Sequence, residues 1–372
     1  MSQDSLSHSR RLDDWNKRMT TFPENVARVA NYMKSRLKII KLGKQDGSLD
    51  ENGFAIDKTP DDDYEMRDSA TNGNTPYCKL LKFRYTTPRS RRGPAEVAAL
   101  GRQYWFYPTM SNRMKQAIGE GARLQSYFSR SRMREAPYFL EIYGLLYESP
   151  VEGPKFFYVM HEQLPDSSMA HKLWNFEVTP RQITEWMLDL AKALEWLNLS
   201  GVAHRFVRPE NVLLADEKRI RLAGFDVACS FYHPATRQYT LQPMGLPEEI
   251  PRQLWDHLPP ECFTGEYDPK MVDSWSLGTL LTLLLTASHP FDMKNPGAMI
   301  QQWKQSKERA TLPLVSPDDP MRSLLDDIFQ MADKRMPTYD LIKDKRLNTR
   351  TGQAWTPSYY RIDLVSLLSN YT

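Results

Sequence analysis

The side chains equipped for chemistry crowd into one stretch of the chain, residues 201–226, GVAHRFVRPENVLLADEKRIRLAGFD. His204, Arg205, Arg208, Glu210 and Asn211 follow one another closely, and Asp226 comes after an apolar interval. Phe206 stands in their midst and has no group that could accept a proton. The elements that must position these residues are legible from their periodicity. Ile183, Met187, Leu190, Leu194 and Leu197 recur at helical spacing and predict a helix leading in. Gly201 then supplies a break. The apolar run Val212–Leu214 and the alternating run Arg219–Ala223, joined by a turn at Asp216–Lys218, predict a hairpin.

This stretch resembles the catalytic centre of the eukaryotic protein kinases, whose catalytic loop reads H-R-D-L-K-P-E-N and whose D-F-G follows a short hairpin. Here the two motifs read H-R-F-V-R-P-E-N and G-F-D. Further motifs follow in the family's order. Pro259-Pro260-Glu261 resembles A-P-E, and Asp273-Ser274-Trp275-Ser276-Leu277-Gly278 resembles D-x-W-S-x-G. His289-Pro290-Phe291-Asp292 resembles an H-P-F loop, and Asp333–Thr338 resembles K-R-P-T with one residue inserted. The resemblance implies an α+β, two-lobed fold, with a small β-rich lobe and a large, mainly helical one. It places a kinase-like domain over residues 37–345, with the small lobe at 37–160 and the large lobe at 161–345. Residues 1–36 become a partly helical N-terminal extension and 346–372 a tail. Pro209-Glu210-Asn211 favours the serine/threonine branch. His204, Arg205, Phe225, Glu261, Asp273 and Arg335 would hold the fold, Glu261 pairing with Arg335. Asp273 would cap its helix and hold the catalytic-loop backbone.

In the small lobe the resemblance works by position. Leu37–Leu42 and Gly53–Ile56 read as strands, and Gly43–Gly47 between them is a poor match to the Gly-rich phosphate loop, closer to a polar turn. An acidic insertion, 57–76, carries Asp61, Asp62 and Asp63. Tyr77–Tyr85 takes the place of the family's third strand, with Lys82 as the lysine that contacts nucleotide phosphates. Beyond a basic linker around Arg89, Arg91 and Arg92, a long helical region presents Met114, Ile118, Leu124, Tyr127 and Phe128 on one face. Glu120 on that helix is the candidate partner of Lys82. Ala136–Gly144 leads into a strand, Phe156–Met160 is another, and His161–Pro165 resembles the hinge where adenine would dock. Val227–Leu258 corresponds to the activation segment and reads as a long loop. Upstream, the spacing of Val26, Val29, Ala30, Met33 and Leu37 predicts a helix starting near Asn25 that either buttresses the domain or binds a partner.

Two residues that do chemistry in the family are replaced. Phe206 stands at the catalytic-base aspartate and Gly224 at the metal-binding aspartate. Phosphoryl transfer rests on positioning and charge neutralisation. Losing a general base costs on the order of 10²–10⁴ in rate, and losing a metal contact several kcal/mol. The expectation is therefore a pseudokinase with no catalytic residue and no bound metal. It would act as a scaffold or allosteric regulator of a protein partner, such as an active kinase. The alternative is an atypical ATP-dependent serine/threonine kinase that uses Lys82, Asn211 and Asp226. ATP, with or without magnesium, is the cofactor that Lys82, Glu120, Asn211 and Asp226 would bind.

Composition bounds these readings. The chain has 372 residues, 41% hydrophobic and 26% charged, which is ordinary for a globular protein with a sizeable core. A net charge of +3, from 49 basic and 46 acidic residues, gives no pull toward nucleic acid. The cysteines, Cys78, Cys229 and Cys262, are dispersed and lack metal-ligand spacing. The polar start predicts no signal peptide, and the apolar run Leu277–Ala287 is too short to span a bilayer. The cytoplasm, or the nucleus, is the expected compartment.

Overall fold

The computed structural model describes residues 22–35, 39–41, 54–56, 78–87, 95–130, 138–148, 155–164, 168–174, 178–216, 218–292, 295–308, 315–316 and 319–347. The turn at Gly43–Gly47, the acidic stretch 57–76, the basic stretch Arg89–Arg92 and the tail beyond Leu347 lie outside these residues.

The small lobe is built on one sheet. Its strands are β1 (Ile39–Lys41), β2 (Phe54–Ile56), β3 (Cys78–Thr87), β4 (Ala95–Phe106), β5 (Ile142–Glu148) and β6 (Lys155–Glu162), in the order β1-β5-β6-β4-β3-β2. Neighbours are antiparallel except β1, which runs parallel to β5 with Ile39 opposite Leu145. This order corrects two expectations. First, β1 and β2 stand at opposite edges, so Gly43–Gly47 does not join a strand pair. The paired strands are β2 and β3, and residues 57–77 lie between them in the sequence. Second, residues 95–106 are not helical. They form β4, and β4 rather than the strand bearing Lys82 runs directly into the helix α2 (Asn112–Arg130). Lys82 sits one strand further out, opposite Leu100.

The reason β4 hides from a periodicity reading is its surroundings. Ala99, Leu100, Arg102 and Tyr104 are all buried, so both faces of the strand are covered and no polar alternation remains. Gly101 allows the close approach of its neighbours, since a Cβ there would lie 2.6 Å from Phe83 and 2.7 Å from the Met160 sulfur. Along α2, Met114, Ile118, Leu124 and Phe128 form the buried face as their spacing predicts.

A helix at residues 22–34, α1, precedes the sheet and starts a turn earlier than expected. It buries Phe22 and Val26 against Ala203, Cys229 and Phe231 of the large lobe. Its C-terminal end reaches α2: the Tyr32 hydroxyl lies 2.9 Å from Ser126 Oγ, and Arg123 donates to the carbonyls of Met33 and Ser35 at 3.2 and 3.0 Å. The helix therefore buttresses both lobes.

The large lobe contains α3 (Met169–Trp174), α4 (Pro180–Asn198), α5 (Pro269–Thr286), α6 (Pro296–Glu308), α7 (Arg322–Ile328) and α8 (Thr338–Lys343). A capping box starts α4. Gln182 N–H donates to Thr179 Oγ1 at 3.3 Å, and Thr179 N–H donates to Gln182 Oε1 at 2.9 Å, with Pro180 in the first turn. Helix α5 is buried on every side, which is why its sequence shows an apolar run without a polar face. Asp268 caps it by accepting from Lys270 N–H, so Asp273 lies a turn inside the helix and does not cap it. Trp275 of α5 packs against Phe291, Trp303 and Phe329 at the centre of the lobe. Arg335 grips Glu261 with two N–H bonds of 2.6 and 3.1 Å and lies over the Trp275 ring, the arrangement expected for a buried bidentate pair.

Candidate functional site

The loop after α4 is fixed from beneath. Gly201 turns the chain with φ +72°, and residues Val202–Ala203 (β7) pair with Cys229–Ser230 (β10). The next two amides, His204 N–H and Arg205 N–H, donate to the Asp273 carboxylate at 2.9 and 2.7 Å. Burial pushes the Asp273 carboxyl up to about 7, and the two backbone N–H bonds work against that rise. Arg205 holds a left-handed conformation, φ 60°, which costs a non-glycine residue about 1–2 kcal/mol and persists because its surroundings enforce it. Its guanidinium donates to the Val227 carbonyl and to the Tyr267 hydroxyl, and His257 bonds its carbonyl at 2.8 Å.

Above this loop lies the hairpin β8 (Val212–Leu214) and β9 (Ile220–Leu222), and then Gly224-Phe225-Asp226. Phe225 joins the lobes through rings. His204 lies 4.8 Å below it, and Phe139 and Phe128 lie at 5.9 and 6.5 Å. Helix α2 presses directly on this segment, since a Cβ on Gly121 would fall 1.8 Å from the Phe225 carbonyl oxygen. Glu120, the candidate lysine partner, accepts from Ser230 N–H at 2.8 Å, and burial raises its carboxyl pKa. In the described structure it anchors the start of the activation segment. That segment, 227–258, carries a short hairpin of β11 (Tyr232–His233) and β12 (Gln238–Tyr239) within its loop.

At the position of the missing base, Phe206 is 3% exposed. It belongs to one apolar cluster with Tyr104, Met114, Ile118 and Ala122 of the small lobe and Leu246, Ile250, Trp255 and Leu258 of the activation segment. The edge of one ring meets the face of the other where Phe206 and His257 pack at 5.3 Å. A substrate hydroxyl would meet hydrocarbon here. Gly224, at the other replaced position, has φ +73°, and a Cβ on it would fall 2.2 Å from the Asn211 amide carbon and oxygen. The Asn211 side chain thus occupies the space of an absent aspartate. Its NH₂ donates to the Phe206 carbonyl at 2.9 Å, which closes the catalytic loop on itself.

The two oxygen donors expected at the site, Asn211 and Asp226, do come together, but around a guanidinium. Arg102 Nη1 donates to Asp226 Oδ2 at 2.7 Å, and Nη2 donates to Asn211 Oδ1 at 3.0 Å. The Tyr104 hydroxyl donates to the other Asp226 oxygen. All of these groups are buried. Magnesium needs a tight octahedral shell of oxygens, and this site offers it a carboxylate already bonded twice and an amide oxygen already bonded once. The residues do not fit a nucleotide-bound magnesium. Among the described residues no three His, Cys, Asp or Glu side chains form another metal-binding group. His161, in the expected hinge, is buried at the end of β6 with its ring against the Glu162 carbonyl, and burial pulls its pKa down to about 4.

Arg102 and Tyr104 are the residues that sequence reasoning missed. The available signal was Ala99-Leu100-Gly101-Arg102, a V-A-I-K-like run with arginine in the lysine's place, immediately before α2. Lys82 and Asp226 are not brought together by the backbone: Lys82 lies on the outer neighbour of the strand that reaches Asp226.

Comparison with known proteins agrees with this architecture. Residues 127–347, more than half of the chain, match the protein kinase domain. A probable serine/threonine-protein kinase CHK1 homolog of Encephalitozoon cuniculi is 28% identical over 157 residues, 42% of this chain and 36% of that protein. A RAC family serine/threonine-protein kinase homolog of Dictyostelium discoideum is 33% identical over 168 residues, 44% of this chain and 35% of that protein. The Aurora kinase of Schizosaccharomyces pombe is 32% identical over 175 residues, 46% of this chain and 45% of that protein. The matches thus span less than half the length of these relatives. The family match begins within α2, beyond β4 and Arg102, in keeping with a small lobe that has diverged. With its two lobes, its Glu261–Arg335 pair and its Asp273-held loop, the chain belongs to the protein kinase family.

Proposed function

We propose that this protein is a pseudokinase: a kinase fold that serves as a scaffold or allosteric regulator of a protein partner in signalling, without transferring phosphate itself. The observation that carries this reading is the placement of Phe206. An active site of this family needs a carboxylate there, open to a substrate hydroxyl. This chain has a phenyl ring sealed among side chains of both lobes and the activation segment. The large lobe keeps the residues that build the fold, while Phe206 and Gly224 replace the two aspartates that would handle proton and metal. A protein of this kind acts through its surface, and a partner that is itself an active kinase fits the fold. The cytoplasm, or the nucleus, is the proposed compartment. No helix among the described residues is long and apolar enough to cross a membrane.

The test is phosphoryl transfer by purified full-length protein with ATP and magnesium or manganese. Losing about 10³ each from base and metal takes a kinase of roughly 1–100 s⁻¹ to about 10⁻⁴ s⁻¹ or below. The expected result is no incorporation above background in the wild type, and none in Phe206→Asp. Robust transfer by the wild type, abolished by Asp226→Ala, would establish the alternative of an atypical kinase using Lys82, Asn211 and Asp226. The relatives named above are serine/threonine kinases, so a generic serine/threonine substrate is the appropriate acceptor.

A further inference from the structure

Building on the pseudokinase reading, we propose that the Arg102 guanidinium is a built-in replacement for a divalent cation, which closes the cleft from within the chain. Three observations lead there. Arg102 and Tyr104 occupy alternate positions on β4, so both project from the same face of the strand toward the large lobe. Between them they engage both carboxylate oxygens of Asp226, and Arg102 adds the amide oxygen of Asn211. The Arg102 and Asp226 side chains are only 8% and 2% exposed, so the pair is desolvated.

Carboxylate and amide oxygens are the donors that hard cations take. A guanidinium satisfies the same donors with directional N–H bonds set in a rigid planar fork, where a lysine ammonium offers rotatable donors around a point charge. Asn211 is held ready for it, because its NH₂ is anchored on the Phe206 carbonyl and Gly224 leaves the room its side chain fills. The small lobe thus stays docked on the large lobe with no nucleotide or metal needed to bridge them, and the surface shown to a partner is permanently that of the closed form.

The experiment is a set of thermal melts on full-length wild type, Arg102→Ala, Arg102→Lys, Asp226→Asn and the Arg102→Ala/Asp226→Asn double variant, each with and without millimolar manganese. The wild type should not respond to manganese. Arg102→Ala should melt about 5–10 °C lower, because a buried charge loses its partner. Manganese should restore part of that loss through the uncovered oxygens of Asp226 and Asn211, and the double variant should lose the response. The drop of the double variant should be clearly smaller than the sum of the single drops. Should Arg102→Ala fail to fold, Arg102→Met, alone and combined with Asp226→Asn, supplies the same cycle with the charge removed and most of the side-chain volume kept. Additive drops, or an Arg102→Ala protein blind to manganese, overturn the proposal. Phosphate transfer by the wild type would instead overturn the pseudokinase reading and leave the coupling between Arg102 and Asp226 to stand or fall by itself.

Discussion

Gly224 has φ +73°, and any side chain there would start 2.2 Å from the Asn211 amide. The aspartate that the family places at this position therefore cannot be restored by a single substitution. Gly224→Asp imposes left-handed strain on a non-glycine residue and forces Asn211 off the Phe206 carbonyl. The expected cost is about 2–5 kcal/mol, combining strain and overpacking. Urea denaturation should show that loss, and the melt should gain no magnesium-dependent response to ATP. A variant as stable as the wild type that now responds to magnesium with ATP would mean that Asn211 can turn aside, and that the loss of metal binding is a one-residue matter. The same reasoning separates the two replaced positions. Phe206 fills an apolar space that a carboxylate would have to enter unpaired, whereas Gly224 leaves a space that another residue has already taken.

Elements differ in how openly the sequence displays them. Helix α4 and the hairpin β8–β9 follow from spacing and turn residues, because each shows one buried face and clear punctuation. The buried face of α2 is equally plain, though its start is not, since the strand before it is covered on both sides and rich in alanine. Because β4 is hidden in the sequence, Lys82 reads as the family lysine, whereas in the structure Arg102 is the cation that reaches Asp226. Asn211 and Asp226 were legible as candidates from motif order alone, but what lies between them depends on a contact across more than a hundred residues of sequence. Helix α1 illustrates the reverse case: its apolar spacing was readable, and its target was not. Val26 is 2% exposed, and its methyl groups press on Gly201 and the β7–β10 pair. Burial pushes the Cys229 thiol in that pair up to about 12, so it stays unreactive near neutral pH. Val26→Asp should lift α1 away, because an unpaired carboxylate cannot remain in this cluster. Alkylation at pH 8 followed by peptide mass analysis should find Cys229 protected in the wild type and labelled in the variant. Equal protection in both would show that α1 does not shield the loop.

On the scale of the whole molecule, the burial that closes the cleft also sets how the fold meets acid. Burial pulls His204 and His257 down to about 3, and His161 and His289 down to about 4. Nearby cations, Arg102 for His204 and His161 and Arg208 for His257 and His289, push in the same direction. Each histidine is neutral in both states above its ordinary value of 6.5. As pH falls below that value the unfolded chain takes up a proton that the folded chain refuses, so each one withdraws stability until its own folded value is reached. Asp273, pushed up to about 7 by burial, has the opposite sign: between about 7 and its ordinary 3.8 the folded state holds the extra proton and gains. Glu120, Glu162 and Asp189, also raised by burial, add to the gain lower in the range. Near pH 6 the four histidines outweigh Asp273, and the unfolded chain binds about two more protons than the folded one. Stability should then fall by about 3 kcal/mol per pH unit around pH 6. Melting temperatures measured from pH 7.5 down to pH 4.5 should decline steeply across that window. His257→Gln, which removes one of these rings, should flatten the decline. A profile flat from pH 7 to pH 5 would mean that these imidazoles protonate in the folded protein and that water reaches the centre of the closed cleft.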